Sequence, residues 1–104
     1  MQSGTRRNRT RMEIVADILK VAEPGVRKTH IMYGANLSFE QLEKYLNFLL
    51  KRGLLENETR RGEYKTTKTG MSYLREFKEY HMYQETFEEK KQLLEEILEG
   101  YRAG

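Results

Sequence analysis

From Arg9 to Ala22 the apolar residues Met12, Ile14, Val15, Ile18, Leu19 and Val21 recur at helical spacing, and Glu23-Pro24-Gly25 then stops the pattern. This predicts a first helix. Val26 to Lys28 fits a very short strand, and Thr29 is placed to cap a short second helix through Ile31, Met32 and Tyr33 that ends at Gly34. Asn36-Leu37-Ser38 makes a turn. Ser38-Phe39-Glu40-Gln41 matches a capping box, in which the Ser oxygen accepts from an orphan amide and Gln41 reaches back, so a third helix starts at Ser38. Around that helix Phe39, Leu42, Tyr45, Leu46, Leu49 and Leu50 share one broad face. Glu40, Lys44, Asn47 and Lys51 lie opposite, with Gln41 and Phe48 flanking.

Gly53 suits a left-handed helix cap. Leu54-Leu55-Glu56-Asn57 and Glu63-Tyr64-Lys65-Thr66 then read as two strands around a polar tip, Glu58 to Gly62, which carries Arg60 and Arg61. A helix followed by such a hairpin is the outline of a winged helix-turn-helix. Thr67 is placed to cap a fourth helix with neither Pro nor Gly between Met71 and Glu99. A 3.5-residue repeat runs through it: Tyr73, Phe77, Tyr80, Gln84, Phe87, Lys91, Leu94, Leu98 and Tyr101 fall alternately four and three apart. Alone, such a helix leaves its stripe wet, and beyond about Tyr80 a small N-terminal domain cannot cover it.

The expected fold is therefore mainly α with a small β-hairpin: a basic arm over 1–8, a winged helix-turn-helix over 9–68, and a dimerisation helix over 69–104. The length of 104 residues suits one core plus an extension. The absence of cysteine excludes disulfides and thiolate metal sites, and no apolar run is long enough for a membrane span. The polar, Arg-bearing start is no secretory signal, which implies a cytoplasmic, nucleoid-associated location. Net charge is only +3, yet residues 1–68 hold 14 Lys/Arg against 8 Asp/Glu while residues 69–104 hold 5 against 8. A basic front and an acidic rear fit a protein that meets a polyanion with one half and assembles through the other.

Several blocks together resemble a known family: Arg9 to Leu19, Lys28-Thr29-His30-Ile31-Met32-Tyr33, Ala35-Asn36-Leu37-Ser38, Tyr45-Leu46, Leu49-Leu50, Gly53-Leu54 and Tyr64-Lys65-Thr66-Thr67-Lys68-Thr69-Gly70. They are similar to the archaeal winged helix-turn-helix proteins that carry a C-terminal coiled-coil helix. The likeness covers roughly residues 9–80. It implies a DNA-binding protein that dimerises through an antiparallel coiled coil of its last helix, with relatives in both chromatin and transcription regulation.

A winged helix usually inserts its third helix into the major groove, which makes Gln41, Lys44, Asn47 and Lys51, with Ser38 at the helix start, candidate DNA contacts. A solvated face is the alternative for the same residues. Arg60 and Arg61 on the wing could bridge phosphates or enter a narrow minor groove, or simply solubilise a loop tip. Arg7 and Arg9 belong to an arm that could order on a polyanion. Lys28 and Thr29 open the second helix, where a phosphate could meet free amides. Glu40 and Glu43 on the third helix would repel phosphates, and they motivate a second reading, a protein-protein interaction module without DNA binding.

His30 and His81 lie on different helices with no cluster to complete a metal site, and no nucleophile or phosphate-loop signature occurs. No cofactor and no enzymatic activity are expected. Along the stripe, Gln84 and Lys91 are polar residues at seam positions that can set register. A parallel in-register dimer would bring two Lys91 ammonium groups together, whereas an antiparallel one would not; a snorkelling lysine tolerates either. The expected partners are duplex DNA and a second copy of the chain.

Overall fold

The computed structural model describes the backbone of residues 8–103 and the side chains of residues 8–100. In chain order the elements are α1 (Arg11–Val21), β1 (Val26–Arg27), α2 (Lys28–Gly34), α3 (Phe39–Lys51), β2 (Leu55–Glu58), β3 (Glu63–Thr66) and α4 (Lys68–Ala103). This is a winged helix-turn-helix with a long helical tail, mainly α as the sequence predicts.

Local signals account for most boundaries. The Ser38 hydroxyl accepts from Gln41 N at 3.1 Å and the Gln41 side chain accepts from Ser38 N at 3.1 Å, so the expected capping box forms. A second box precedes α1, where Thr10 and Glu13 exchange the same bonds. It starts α1 at Arg11, two residues later than the periodicity suggests. Gly53, at φ +75°, closes α3: its amide reaches Leu50 O and the Leu54 amide reaches Leu49 O at 2.9 Å. Leu54 is thereby committed to the helix end, which is why β2 begins at Leu55 and not at Leu54. Asn36, at φ +55°, ends α2 in the same way. The Thr67 hydroxyl accepts from Gly70 N at 3.0 Å and so caps α4.

Two expectations change. Thr29 does not cap α2; β1 runs straight into that helix, with Arg27 as a cap residue that makes no side-chain bond. The sheet has three strands rather than two, in the order β1-β3-β2, because Val26 pairs with Tyr64 and Arg27 with Glu63 across the chain. In the wing itself Leu55 faces Thr66 and Glu58 faces Glu63.

The core lies where α1, α2 and α3 meet the sheet. Ile18, Leu19, Ile31, Leu42 and Leu49 are its largest fully buried side chains. Thr66 ties the sheet to α1, its hydroxyl donating to Leu19 O at 2.7 Å and its amide to Ala22 O. The first turns of α4 pack on this core through Tyr73 and Leu74, and the Tyr73 hydroxyl donates to Met12 O at 2.8 Å. Gly70 makes that approach feasible: a Cβ there would collide with the Leu54 carbonyl oxygen and lie 2.6 Å from Thr66 Cγ2.

Beyond Phe77 the tail leaves the domain. Every residue from Lys78 to Gly100 is exposed, and the molecule measures 69 × 29 × 19 Å. At 36 residues, α4 is about 54 Å long.

Candidate nucleic-acid interface

The face of α3 turned away from the core is polar and open. Gln41, Lys44, Asn47 and Lys51 are all exposed there, together with Glu40, while Leu42, Leu46 and Leu49 hold the opposite face in the core. Their shared side follows from helical spacing, with the buried leucines fixing the rotation of the helix. Ser38 and the Gln41 side-chain oxygen are engaged in the capping box. Their first role is to hold the leading turn of α3.

Glu43 is not the bare carboxylate that the sequence suggested. The Lys28 ammonium donates to its Oε2 at 2.6 Å, joining the start of α2 to the first turns of α3. That hydrogen bond holds the Lys28 pKa above the usual lysine range. Lys28 therefore stays charged in neutral solution and cancels Glu43. The same ammonium lies 5.9 Å from the centroid of the Phe39 ring.

Phe39 departs from the expected buried face. Its side chain is 62 % exposed, because it occupies the first helical position, where side chains tilt toward the helix N-terminus and so past the helix end. A projection around the helix axis cannot register where the helix stops. Tyr33, on α2, is also strongly exposed.

Arg9 takes a structural place rather than one in a free basic arm. Its guanidinium donates to Asp17 at 2.8 Å, to Ala35 O at 2.8 Å and to Asn36 O at 2.9 Å, and its side chain is only 9 % exposed. It clamps α1 to the turn between α2 and α3. The carbonyls it satisfies end α2, so this cation is removed from the surface that Arg7 was expected to share with it. Arg7 lies outside the described residues.

Arg60 and Arg61 occupy the exposed four-residue turn of the wing, which Gly62 closes at φ +66° and the Arg61 amide braces on Glu58 O. The cations sit at the tip, and Glu56, Glu58 and Glu63 lie back along the strands. Arg27 and Lys65 add exposed cations on β1 and β3 that the sequence pattern did not single out. Their alternation with inward Val26, Tyr64 and Thr66 was the available signal.

Along α4, Tyr73 and Phe77 stack with centroids 6.2 Å apart and are partly covered. Burial raises the Tyr73 pKa. Tyr80, Phe87, Leu94 and Leu98 of the stripe are exposed, as are Gln84 and Lys91, and the Tyr101 side chain lies outside the described residues. Tyr83, Leu93 and Ile97 widen the apolar band. Among the described residues no cluster of His, Asp and Glu could hold a metal ion, and no helix is long and apolar enough to cross a membrane.

The winged helix-turn-helix family profile matches residues 8–85, three quarters of the chain. The chain belongs to the winged helix-turn-helix family. Relatives of this chain include an uncharacterized protein of Methanocaldococcus jannaschii, 34% identical over 59 residues, a match spanning 56% of this chain and 61% of that relative. Among solved structures, Sso10a-2, a DNA-binding protein from Sulfolobus solfataricus, superposes with a TM-score of 0.79 at 32% identity, covering 86% of this chain and 97% of that one. The likeness thus extends over both the winged helix and much of α4.

Proposed function

We propose that this winged helix binds duplex DNA as a homodimer, without enzymatic activity, and that it works in the nucleoid. The observation that carries this reading is the open Lys44–Asn47–Lys51 face of α3, on a fold similar over most of its length to that of a DNA-binding protein. Lys44 and Lys51 supply cations for phosphates, Asn47 and the Gln41 amide can bond base edges, and Arg60 and Arg61 extend the contact along the wing. Thr29 and Lys28 flank the helix at the start of α2, where Glu43 holds the Lys28 ammonium and Thr29 is open to the duplex backbone.

The dimer is supported by α4, whose exposed band of Tyr80, Tyr83, Phe87, Leu94, Ile97 and Leu98 has no cover within the described residues. A bare apolar band of this kind marks an association surface. An antiparallel pairing suits Lys91, which would meet its own copy in a parallel seam, and sets the acidic end of one helix beside the basic domain of the other. Two winged helices at opposite ends of such a rod would bridge or bend one duplex.

A labelled random-sequence duplex titrated by fluorescence anisotropy, with unlabelled competitors of different sequence, tests this. Binding that all competitors remove equally identifies an architectural protein, and preference for particular competitors identifies a regulator. Absence of binding at low salt would instead support a protein-interaction module, for which exposed Glu40 on the α3 face is the motive.

A further inference from the structure

The first turn of α3 presents a phenyl ring to solvent, and its surroundings are specific. Phe39 is 62 % exposed, and the Lys28 ammonium approaches it to 5.9 Å from the ring centroid. That ammonium is anchored in turn on Glu43, one helical turn further along the same edge. The capping box of Ser38 and Gln41 fixes the backbone from which the ring projects. An apolar side chain is thus held at the head of the helix, with the charge of Glu43 offset by Lys28.

In helix-turn-helix proteins the leading residues of the recognition helix meet base edges in the major groove. The one apolar group that a base pair displays there is the C5-methyl of thymine, and a phenyl ring is among the side chains that contact it. We propose that Phe39 reads the thymine methyl group and gives this protein a preference for duplexes that carry it. The inference rests on DNA contact by α3 as proposed above. Lys28 orients the ring, and its pairing with Glu43 offsets one of the two carboxylates, Glu40 and Glu43, near the ring.

The test compares alternating A·T duplexes with the same duplexes in which uracil, lacking only the methyl, replaces thymine. The wild-type protein is expected to bind the uracil duplex about fourfold more weakly for each methyl contacted, the effect of leaving one such group wet. Phe39→Ala should bind both duplexes equally, at the wild-type level for uracil. In the reverse direction, 5-methylcytosine in an alternating G·C duplex should tighten wild-type binding by a similar factor.

Equal wild-type affinity for the thymine and uracil duplexes would overturn the assignment while leaving DNA binding intact. A thymine preference that persists in Phe39→Ala would also overturn it, since the methyl would then be sensed elsewhere. Failure to bind either duplex would remove the proposed function itself, and this inference with it.

Discussion

The Lys28 ammonium and the Glu43 carboxylate meet at 2.6 Å, tying α2 to α3 on the side of the molecule that carries the candidate interface. The pair offsets the charge of a repulsive carboxylate and occupies a lysine that could otherwise face a phosphate. Glu43→Gln is therefore expected to tighten duplex binding several-fold and to steepen the plot of log affinity against log salt by about 0.9, one additional phosphate contact. Unchanged affinity and slope would show that Lys28 stays off the duplex. Because the raised Lys28 pKa favours its charged form, the ammonium is fully available to the pair at neutral pH. The Lys28 side of the pair's contribution to stability is lost in strongly alkaline solution, as pH rises through the pKa of the folded state.

Arg9 joins three partners on two elements. Arg9→Met should leave Asp17 without this partner and strip the Ala35 and Asn36 carbonyls of their donor, lowering stability by about 3 kcal/mol. Thermal unfolding followed by circular dichroism should show a melting point lower by roughly 10 °C or more. DNA affinity of the folded variant should be close to wild type. A large loss of affinity without a change in melting point would return Arg9 to the interface.

Gly70 lies within a helix, where Ala would ordinarily be favoured by about 1 kcal/mol. Here the added methyl meets the Leu54 carbonyl and Thr66. Gly70→Ala should be net destabilising by about 2 kcal/mol in chemical denaturation, through displacement of α4 from the wing. A stabilised variant would mean that α4 docks less closely than the structure has it.

The bare band on α4 predicts assembly. Sedimentation should give a mass twice the 12.4 kDa of the chain. The double variant Phe87→Glu with Leu94→Glu should sediment as a monomer, since like charges would face an apolar seam. Its winged helix should remain folded, because neither residue touches the core. A wild-type monomer at micromolar concentration would rule out α4 as the dimer interface.

Much of this molecule is legible in its residue pattern because its elements carry local signals. Ser38 with Gln41, Gly53 and Thr67 are caps whose chemistry acts within a few residues, so α3, the wing and the start of α4 follow from spacing alone. What escaped is non-local. The pairing of Val26 with Tyr64 spans most of the domain, and nothing in a two-residue strand announces it. Arg9 resembles its neighbours Arg6, Arg7 and Arg11 in sequence; only the folded position of the turn after α2 turns it inward. Phe39 fits the apolar period of α3 and is exposed because the helix begins there, beyond the reach of the core.

Salt dependence tests the account most directly. Affinity of the wild-type protein for a random duplex should fall linearly on a log-log plot as salt rises. Lys44, Lys51, Arg60 and Arg61 together predict a slope of roughly −3 to −4 for each winged helix. Charge reversal at Arg60 and Arg61 should reduce that slope by about 2. An affinity that stays flat as salt rises, or a slope indifferent to the wing, would contradict a phosphate-dominated interface.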